Sequence, residues 1–288
     1  MKTNQLPMNS YRLYRNRTLT ENMNMVFDFV SDNWKLWLKL MVYFLLPFSV
    51  LLGTTFATFY KDADSLTFDL PMALSIVLFV VGSAVVTALM ILLVKWYETH
   101  DYTLDGCNVS SMWRMLPGAS LKCLGFIVIM DLLMGLSLLL AVFIIGIVAM
   151  LALLPLFLLC PIMLLEPQNS FLGVFNRAFS LGYKKWGALI LIALVMSIVA
   201  VLLNNAVTFP LGIFKIIQSL LEESTTDSMF FSLGSDIFFY VMCVAECFMI
   251  YVEMGLFILA MTYHYGSVAA EVDDIGLESD IDNFAQLK

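Results

Sequence analysis

Residues 121–165 read LKCLGFIVIMDLLMGLSLLLAVFIIGIVAMLALLPLFLLCPIMLL, an almost unbroken apolar run. An α-helix crosses the hydrocarbon core of a bilayer in about 17–25 residues, so this run is too long for one span and long enough for two. We predict two spans here, at 121–142 and 148–165, joined by a tight turn near 143–148.

The rest of the chain has the same character. Of its 288 residues, 61% are hydrophobic and 13% are charged, whereas soluble domains have about 45–50% and about 25%. At about 20 residues for each span, this length accommodates roughly six helices and no separate soluble domain. Four further apolar runs complete the set, at 37–60, 72–94, 186–208 and 237–262. The sequence therefore predicts an all-α, polytopic transmembrane bundle of six spans with short interfacial amphipathic helices.

Lys and Arg are distributed unevenly between the connections. One set of connections, with both tails, holds thirteen of the 15 basic residues, while the other set holds only Lys61 and Lys215. Because segments rich in Lys and Arg stay in the cytoplasm, we expect both termini to be cytoplasmic in a bacterial-type inner membrane. The chain then divides into a basic tail with an interfacial helix at 1–36, a membrane domain at 37–264 and an acidic tail at 265–288.

Amphipathic helices are predicted beside the spans. Thr18-Leu-Thr-Glu21 fits a capping box, and apolar residues recur at helical spacing behind it, so we expect a helix along the membrane surface before the first span. Three more segments have similar patterns, at 109–116, 171–179 and 213–221.

The connection after span four carries candidate lipid contacts. Ser170 is placed to cap a helix, and Arg177, Lys184 and Lys185 lie beside its apolar face. Each basic residue near an anionic surface contributes about 1 kcal/mol, so we expect anionic inner-leaflet headgroups here, with purely topogenic charge as the alternative. The acidic tail at 265–288 either folds back on such basic connections, docks on a partner protein or stays solvated.

Several classes of function lack their signatures. No basic stripe with interleaved aromatic residues supports nucleic-acid binding, and GxSxG, HExxH, P-loop and GxGxxG motifs are missing. His100 and His264 are the only histidines, too few for a His-ligated iron site. The five cysteines form no CxxC and mostly lie in apolar runs, as buried thiols do. We therefore expect no enzyme activity, no cofactor and no metal.

Three carboxylates fall at predicted membrane depth, Asp131 in span three and Glu246 and Glu253 in span six. Such groups are unfavourable in hydrocarbon, by about 2.5–3.5 kcal/mol for Asp on insertion scales, and normally face the bundle interior. Glu246 and Glu253 share one helical face about 10 Å apart. Since no Lys or Arg is predicted at this depth, we expect protonated acids that hydrogen-bond to polar groups of other spans. The candidates are Asn204, Asn205, Ser197, Ser83 and Thr87.

Two functions fit these carboxylates. As interhelical hydrogen-bonders they suit a non-catalytic structural or accessory protein that contacts lipids, other membrane proteins or a second copy of itself. Lining a wet path, they suit a proton- or cation-linked transporter or channel. The small size and the lack of visible inverted repeats count against transport, so the accessory role is the favoured expectation.

One connection resembles a known family. Glu166-Pro-Gln-Asn-Ser170, then Phe175-Asn-Arg177-Ala-Phe-Ser180-Leu-Gly and Trp186, resemble the cytoplasmic connection of bacterial six-helix proteins similar to the membrane domain of glycerophosphodiester phosphodiesterases. The resemblance implies a six-helix architecture. This sequence lacks the soluble barrel that carries catalysis in the fused members, so the resemblance does not imply that activity.

Overall fold

The computed structural model describes residues 12–61, 70–100, 102–142, 144–222 and 229–273, and all regular structure within them is helical. The α-helices are α1 Leu19–Asp32, α2 Trp34–Lys61, α3 Leu70–Thr99, α4 Val109–Leu139, α5 Ile144–Ala152, α6 Leu159–Leu165, α7 Phe171–Lys184, α8 Trp186–Glu222 and α9 Met229–Val272. Two 3₁₀ helices, Leu140–Val142 and Leu154–Leu158, flank α5. Six segments are long and apolar enough to cross a membrane: Trp34–Thr58, Leu70–Thr99, Val109–Leu139, Ile144–Leu165, Trp186–Pro210 and Asp236–Val272. The predicted all-α bundle of six spans is confirmed.

Helix α9 is the centre of the bundle, because it packs against α2, α3 and α8, while α4 packs against α3. Helices α2 and α9 approach each other closely at Gly53, where an added Cβ would lie 2.6 Å from the Cα of Val244. Small residues let helix backbones approach in this way within a membrane. Ser83 of α3 is also buried, and its hydroxyl lies 3.7 Å from the sulfur of Met254 in α9.

Both ends of the described chain lie at the same end of the bundle, which we call the terminal end. Leu13 is fully buried against Gly266 near the end of α9. The backbone N–H of Arg17 donates to Ser267 Oγ at 3.0 Å, and the backbone N–H of Leu13 donates to the Glu98 carboxylate at the end of α3. The N-terminal segment is therefore packed into the fold.

The capping box predicted at Thr18 is confirmed. Thr18 Oγ1 accepts from the Glu21 backbone N–H at 3.3 Å, and the Glu21 carboxylate accepts from the Thr18 backbone N–H at 2.8 Å. The apolar face of α1 packs on the bundle, with the ring of Phe29 6.1 Å from that of Tyr263 in α9. Helix α1 thus covers the terminal end and buries the face predicted to rest on the membrane surface.

Two helices predicted as separate interfacial segments are parts of longer helices. Residues 109–116 form the first turns of α4, which begins with a capping box between Asn108 and Ser111 and continues through Pro117. Residues 213–221 belong to α8, which continues through Pro210 to Glu222. Hydropathy marks where a chain enters the apolar layer, whereas the helical hydrogen bonds continue past that boundary.

The turn between spans three and four lies slightly earlier than predicted. Helix α4 ends at Leu139, the 3₁₀ helix covers Leu140–Val142, and α5 begins at Ile144. Gly146 packs directly on the backbone of Leu140, so a side chain there would push α5 away from the turn.

The predicted acidic tail begins later than expected. Residues 265–272 are the last turns of α9, and Tyr265, Val268 and Ala269 are fully buried. These apolar side chains continue the core of the bundle to the terminal end, and residues 274–288 lie outside the described part of the chain.

Candidate functional site

A cavity of about 370 Å³ lies between α3, α4, α8 and α9, against residues 156–160. Most of its wall is apolar and aromatic. Five polar side chains also line it: Ser83, Thr87, Asp131, Ser197 and Glu253. None of the described residues in its wall is Lys, Arg or His.

The cavity lies deep in the bundle. Thr87 is eight residues along α3 from Lys95, whose ammonium donates to the Leu164 carbonyl at 2.9 Å near the terminal end. Glu253 is twelve residues along α9 from Tyr265. At 1.5 Å for each residue, these separations are about 12 Å and 18 Å. With the terminal end at one surface of a hydrocarbon layer about 30 Å thick, these distances correspond to the middle of that layer.

Regular helical spacing brings these residues together. Phe79, Ser83 and Thr87 are four residues apart on α3 and form one stripe along it. On α9, one face likewise supplies all the lining residues: Ile250, Glu253, Met254, Phe257 and Ile258. Residues three and four apart on an α-helix are neighbours on its surface, so each helix contributes a single face to the cavity.

Three polar groups in the wall have no partner among the described residues. Glu253 Oε1 is buried without a hydrogen bond. Asp131 forms neither an ion pair nor a hydrogen bond, and the hydroxyl of Thr87, a residue only 2% exposed, is also unpartnered. A buried polar group without a partner is unfavourable by about 1–3 kcal/mol. The cavity therefore offers hydrogen-bonding groups on three helices that no protein group engages among the described residues.

The two serines are already engaged. Ser83 donates to the Phe79 carbonyl at 2.7 Å and Ser197 donates to the Ala193 carbonyl at 2.7 Å, both within their own helices. Their oxygen lone pairs can still accept hydrogen bonds from a molecule in the cavity.

The structure brings together part of the predicted set. Asp131 and Glu253 share the cavity with Ser83, Thr87 and Ser197. Glu246 lies two turns away on α9 and does not line it.

Asn204 and Asn205 are also outside the cavity. The Asn205 amide donates to the Val201 carbonyl of its own helix at 2.7 Å. Within the described residues, the interhelical hydrogen bonds expected from the three carboxyl groups are not formed.

The aromatic part of the wall was missed in the sequence. Phe79, Phe126, Phe157 and Phe257 line the cavity from three helices and one 3₁₀ helix. Phenylalanines are frequent in every apolar run of this chain, so a sequence pattern alone does not separate these four from those that face lipid.

A second polar cluster lies at the terminal end. It joins α9 to the connection between spans four and five, which carries the family resemblance. Arg177 Nη2 lies 3.3 Å from Glu166 Oε1, and Arg177 also pairs with the Asp273 carboxylate. Tyr265 donates to Glu166 Oε1 at 2.6 Å, and the Asn169 amide donates to Glu166 Oε2 at 2.6 Å. The hydrogen bond to Asp273 raises the pKa of Arg177. We call these five residues the terminal cluster.

The three predicted lipid contacts differ in their surroundings. Arg177 is held by carboxylates of the terminal cluster, and Lys185 pairs with Glu271 and lies 3.5 Å from Asn16 Oδ1. Lys184 is exposed in the last turn of α7. Glu271 and Asp273, at the end of α9, thus pair with the basic connection. The rest of the predicted acidic tail lies outside the described residues, so its three alternatives stay predictions.

Comparisons of the chain with protein-family models, with curated proteins and with solved structures found no match. Among the described residues, no group of three or more His, Cys, Asp or Glu side chains is placed to hold a metal ion. The fold defines a multi-pass helical membrane protein, and two carboxyl groups line a cavity between its spans. The resemblance to the phosphodiesterase-linked membrane domains stays a prediction.

Proposed function

We propose that this protein is a proton- or cation-linked transporter and that the cavity is its exchange site. The observation that carries the proposal is that Asp131 of α4 and Glu253 of α9 line one cavity without a basic residue. A carboxyl group at this depth is neutral when it holds a proton and, once ionised, requires a positive partner. The described wall supplies no such partner, so a proton or a cation has to supply it.

Among the described residues, the carboxyl groups of Asp131 and Glu253 form no hydrogen bonds, which favours transport over a role in holding helices together. Polar groups that join helices in a membrane do so by bonding across the interface. Asp131 and Glu253 make no such bond among the described residues. Their placement beside an open volume suits groups that exchange what they bind.

The proposed exchange conserves charge in the cavity. A cation binds as a carboxyl group releases its proton, so the wall and its occupant stay neutral in total. Return of the proton releases the cation. Both steps avoid an uncompensated charge at membrane depth, where charge is most unfavourable.

Contact with anionic lipid is a second role, at the terminal end, supported by the exposure of Lys184 beside the exposed Tyr183 at the end of α7. We place this end on the cytoplasmic side of a bacterial-type inner membrane because it carries most of the basic residues. Lys184→Gln should lower the amount of phosphatidylglycerol that co-purifies, while Lys95→Gln should not, because the Lys95 ammonium already donates to the Leu164 carbonyl. Equal retention by both variants would contradict a lipid contact at Lys184.

Transport is tested with the purified protein in liposomes that are acidic inside. Addition of Na⁺, K⁺, tetramethylammonium or benzyltrimethylammonium outside, in separate runs, should collapse the pH gradient faster than in empty liposomes for at least one of them, through exchange for protons. The double variant Asp131→Asn with Glu253→Gln should lose this exchange. No exchange with any of the four cations from folded protein, or equal exchange by the double variant, would contradict the proposal.

Glu246→Gln is the matched control. It removes a carboxyl group from the same helix as Glu253, by the same chemical change, but at a position outside the cavity. The control should retain exchange, which separates the cavity from a general effect of removing membrane-depth acids.

A further inference from the structure

The volume of the cavity is too large for a proton or a metal ion alone. Pockets for organic ligands measure about 300–1,000 Å³, and this one measures about 370 Å³. Inorganic cations such as Ca²⁺ or Mg²⁺ take about six or more oxygen ligands, whereas most of this wall is hydrocarbon. The cavity has the size and the surface of a site for an organic molecule.

The aromatic rings in the wall suit a cation with an apolar body. Phe157 and Phe257 meet edge to face, with ring centroids 4.9 Å apart, and both line the cavity with Phe79 and Phe126. The face of an aromatic ring attracts ammonium groups, and quaternary ammonium ligands are recognised by such rings. The carboxyl groups and the phenylalanine rings of the cavity therefore both favour a ligand with a positive charge.

The cavity is accessible from the side of the bundle. Asp131 and Ser197 line it from α4 and α8, and both are exposed. Their neighbours Leu132 and Ile198 are 68% and 54% exposed, on the apolar surface that lipid covers in a bilayer. A molecule dissolved in the membrane can reach the acids between α4 and α8 without crossing the terminal end.

We propose that the cavity binds a lipophilic organic cation, an amine or quaternary ammonium with an aromatic or alkyl body, which arrives laterally from the bilayer. This inference rests on the proposed function and names its cargo. The charged nitrogen lies by Asp131 and Glu253, and the body lies against the phenylalanine rings. For a protonated amine, the unpartnered hydroxyl of Thr87 accepts one N–H.

Equilibrium binding without a gradient tests the inference separately from transport. Radiolabelled benzyltrimethylammonium is dialysed against the protein in lipid nanodiscs, with empty nanodiscs as the blank. We expect saturable binding that unlabelled benzyltrimethylammonium displaces. Neopentylbenzene, which has carbon in place of the nitrogen, should not displace it, and neither should Na⁺ or K⁺.

Two variants locate the binding. Asp131→Asn with Glu253→Gln should weaken binding by about tenfold or more, because a buried charge loses its partner, while Glu246→Gln should leave it unchanged. Phe257→Leu keeps an apolar side chain but removes a ring, and should weaken binding by about 2- to 30-fold. This second variant keeps the test valid if the double variant folds poorly.

The outcomes separate the two proposals. Cation exchange by a protein that does not bind benzyltrimethylammonium overturns the organic cargo and leaves transport standing. Binding without exchange of any cation overturns transport and leaves the ligand class standing. Displacement by neopentylbenzene as effective as by the cation, or binding unaffected by both the acid and the ring variants, overturns the inference.

Discussion

The phenol of Tyr265 donates a 2.6 Å hydrogen bond to Glu166 Oε1, which joins the end of α9 to the turn that follows α6. The same carboxylate oxygen lies 3.3 Å from Arg177 Nη2 of α7. Tyr265 is fully buried, and the Tyr14 hydroxyl lies 3.5 Å from its own. Burial of the Tyr14 side chain raises the pKa of its phenol. The terminal cluster thus connects the N-terminal segment, α7 and α9.

Tyr265→Phe should lower the free energy of unfolding by about 1.5–3 kcal/mol, because a hydrogen bond to a charged group contributes this much. Tyr183→Phe is its control, since Tyr183 also donates a hydrogen bond, to the Ala152 carbonyl at 2.9 Å, but is 51% exposed. The control should lose less. Unfolding in detergent, followed by intrinsic fluorescence, gives both values, and equal losses would contradict the role of Tyr265.

Two truncations test the ion pairs at the end of α9. Removal of residues 274–288 leaves both ion pairs in place, because Glu271 and Asp273 keep their partners Lys185 and Arg177. Removal of 271–288 should lower the free energy of unfolding by about 0.2–1 kcal/mol for each pair, since partly exposed pairs contribute little. The difference between the truncations should shrink as salt is added. Equal stability of the two at low salt would contradict the pairing.

The capping box of α1 should make stability depend on pH. The hydrogen bond from the Thr18 backbone N–H lowers the pKa of Glu21 in the folded state. Folding then favours the ionised carboxylate, so its contribution is complete above the unfolded pKa of about 4.3 and is lost as the pH falls through the folded pKa. The advantage of the wild type over Glu21→Gln in melting temperature should therefore shrink in acid. A difference that stays constant from neutral to strongly acidic pH would count against this.

The contact of α2 with α9 depends on Gly53. Gly53→Ala should lower the free energy of unfolding by about 1–3 kcal/mol or more, because the added methyl would meet the Val244 backbone. Gly135→Ala should have little effect, since nothing lies within 4 Å of its added Cβ. The same unfolding assay compares the two variants. A loss at Gly135 as large as at Gly53 would contradict the packing effect, because helix propensity favours Ala over Gly at both positions.

The sequence identifies the acids of the site but not the site itself. Asp131 and Glu253 stand out because a carboxylate in an apolar run is unfavourable wherever that run packs. Glu246 stands out equally, and its seven-residue spacing puts it on the same face as Glu253. Only the packing of α3, α4 and α8 around one level of α9 separates the two.

The sequence does not predict the long-range pairs of the terminal cluster either. Arg177 is 96 residues from Asp273, and a basic residue beside an apolar run already has a sufficient explanation in topology. The sequence also predicted the wrong ends for two helices, for a different reason. Residues 109–116 and 265–272 differ from the spans in polarity, but their backbones continue the same helices.

The central claim is that a cation and a proton compete for the carboxyl groups of one cavity. Its most direct measurement is the release of protons when benzyltrimethylammonium is added to the purified protein in weakly buffered nanodiscs near neutral pH. We predict that the wild type and Glu246→Gln release protons as the cation binds, and that Asp131→Asn with Glu253→Gln does not. Binding without proton release, or the same release from the double variant, would contradict the claim.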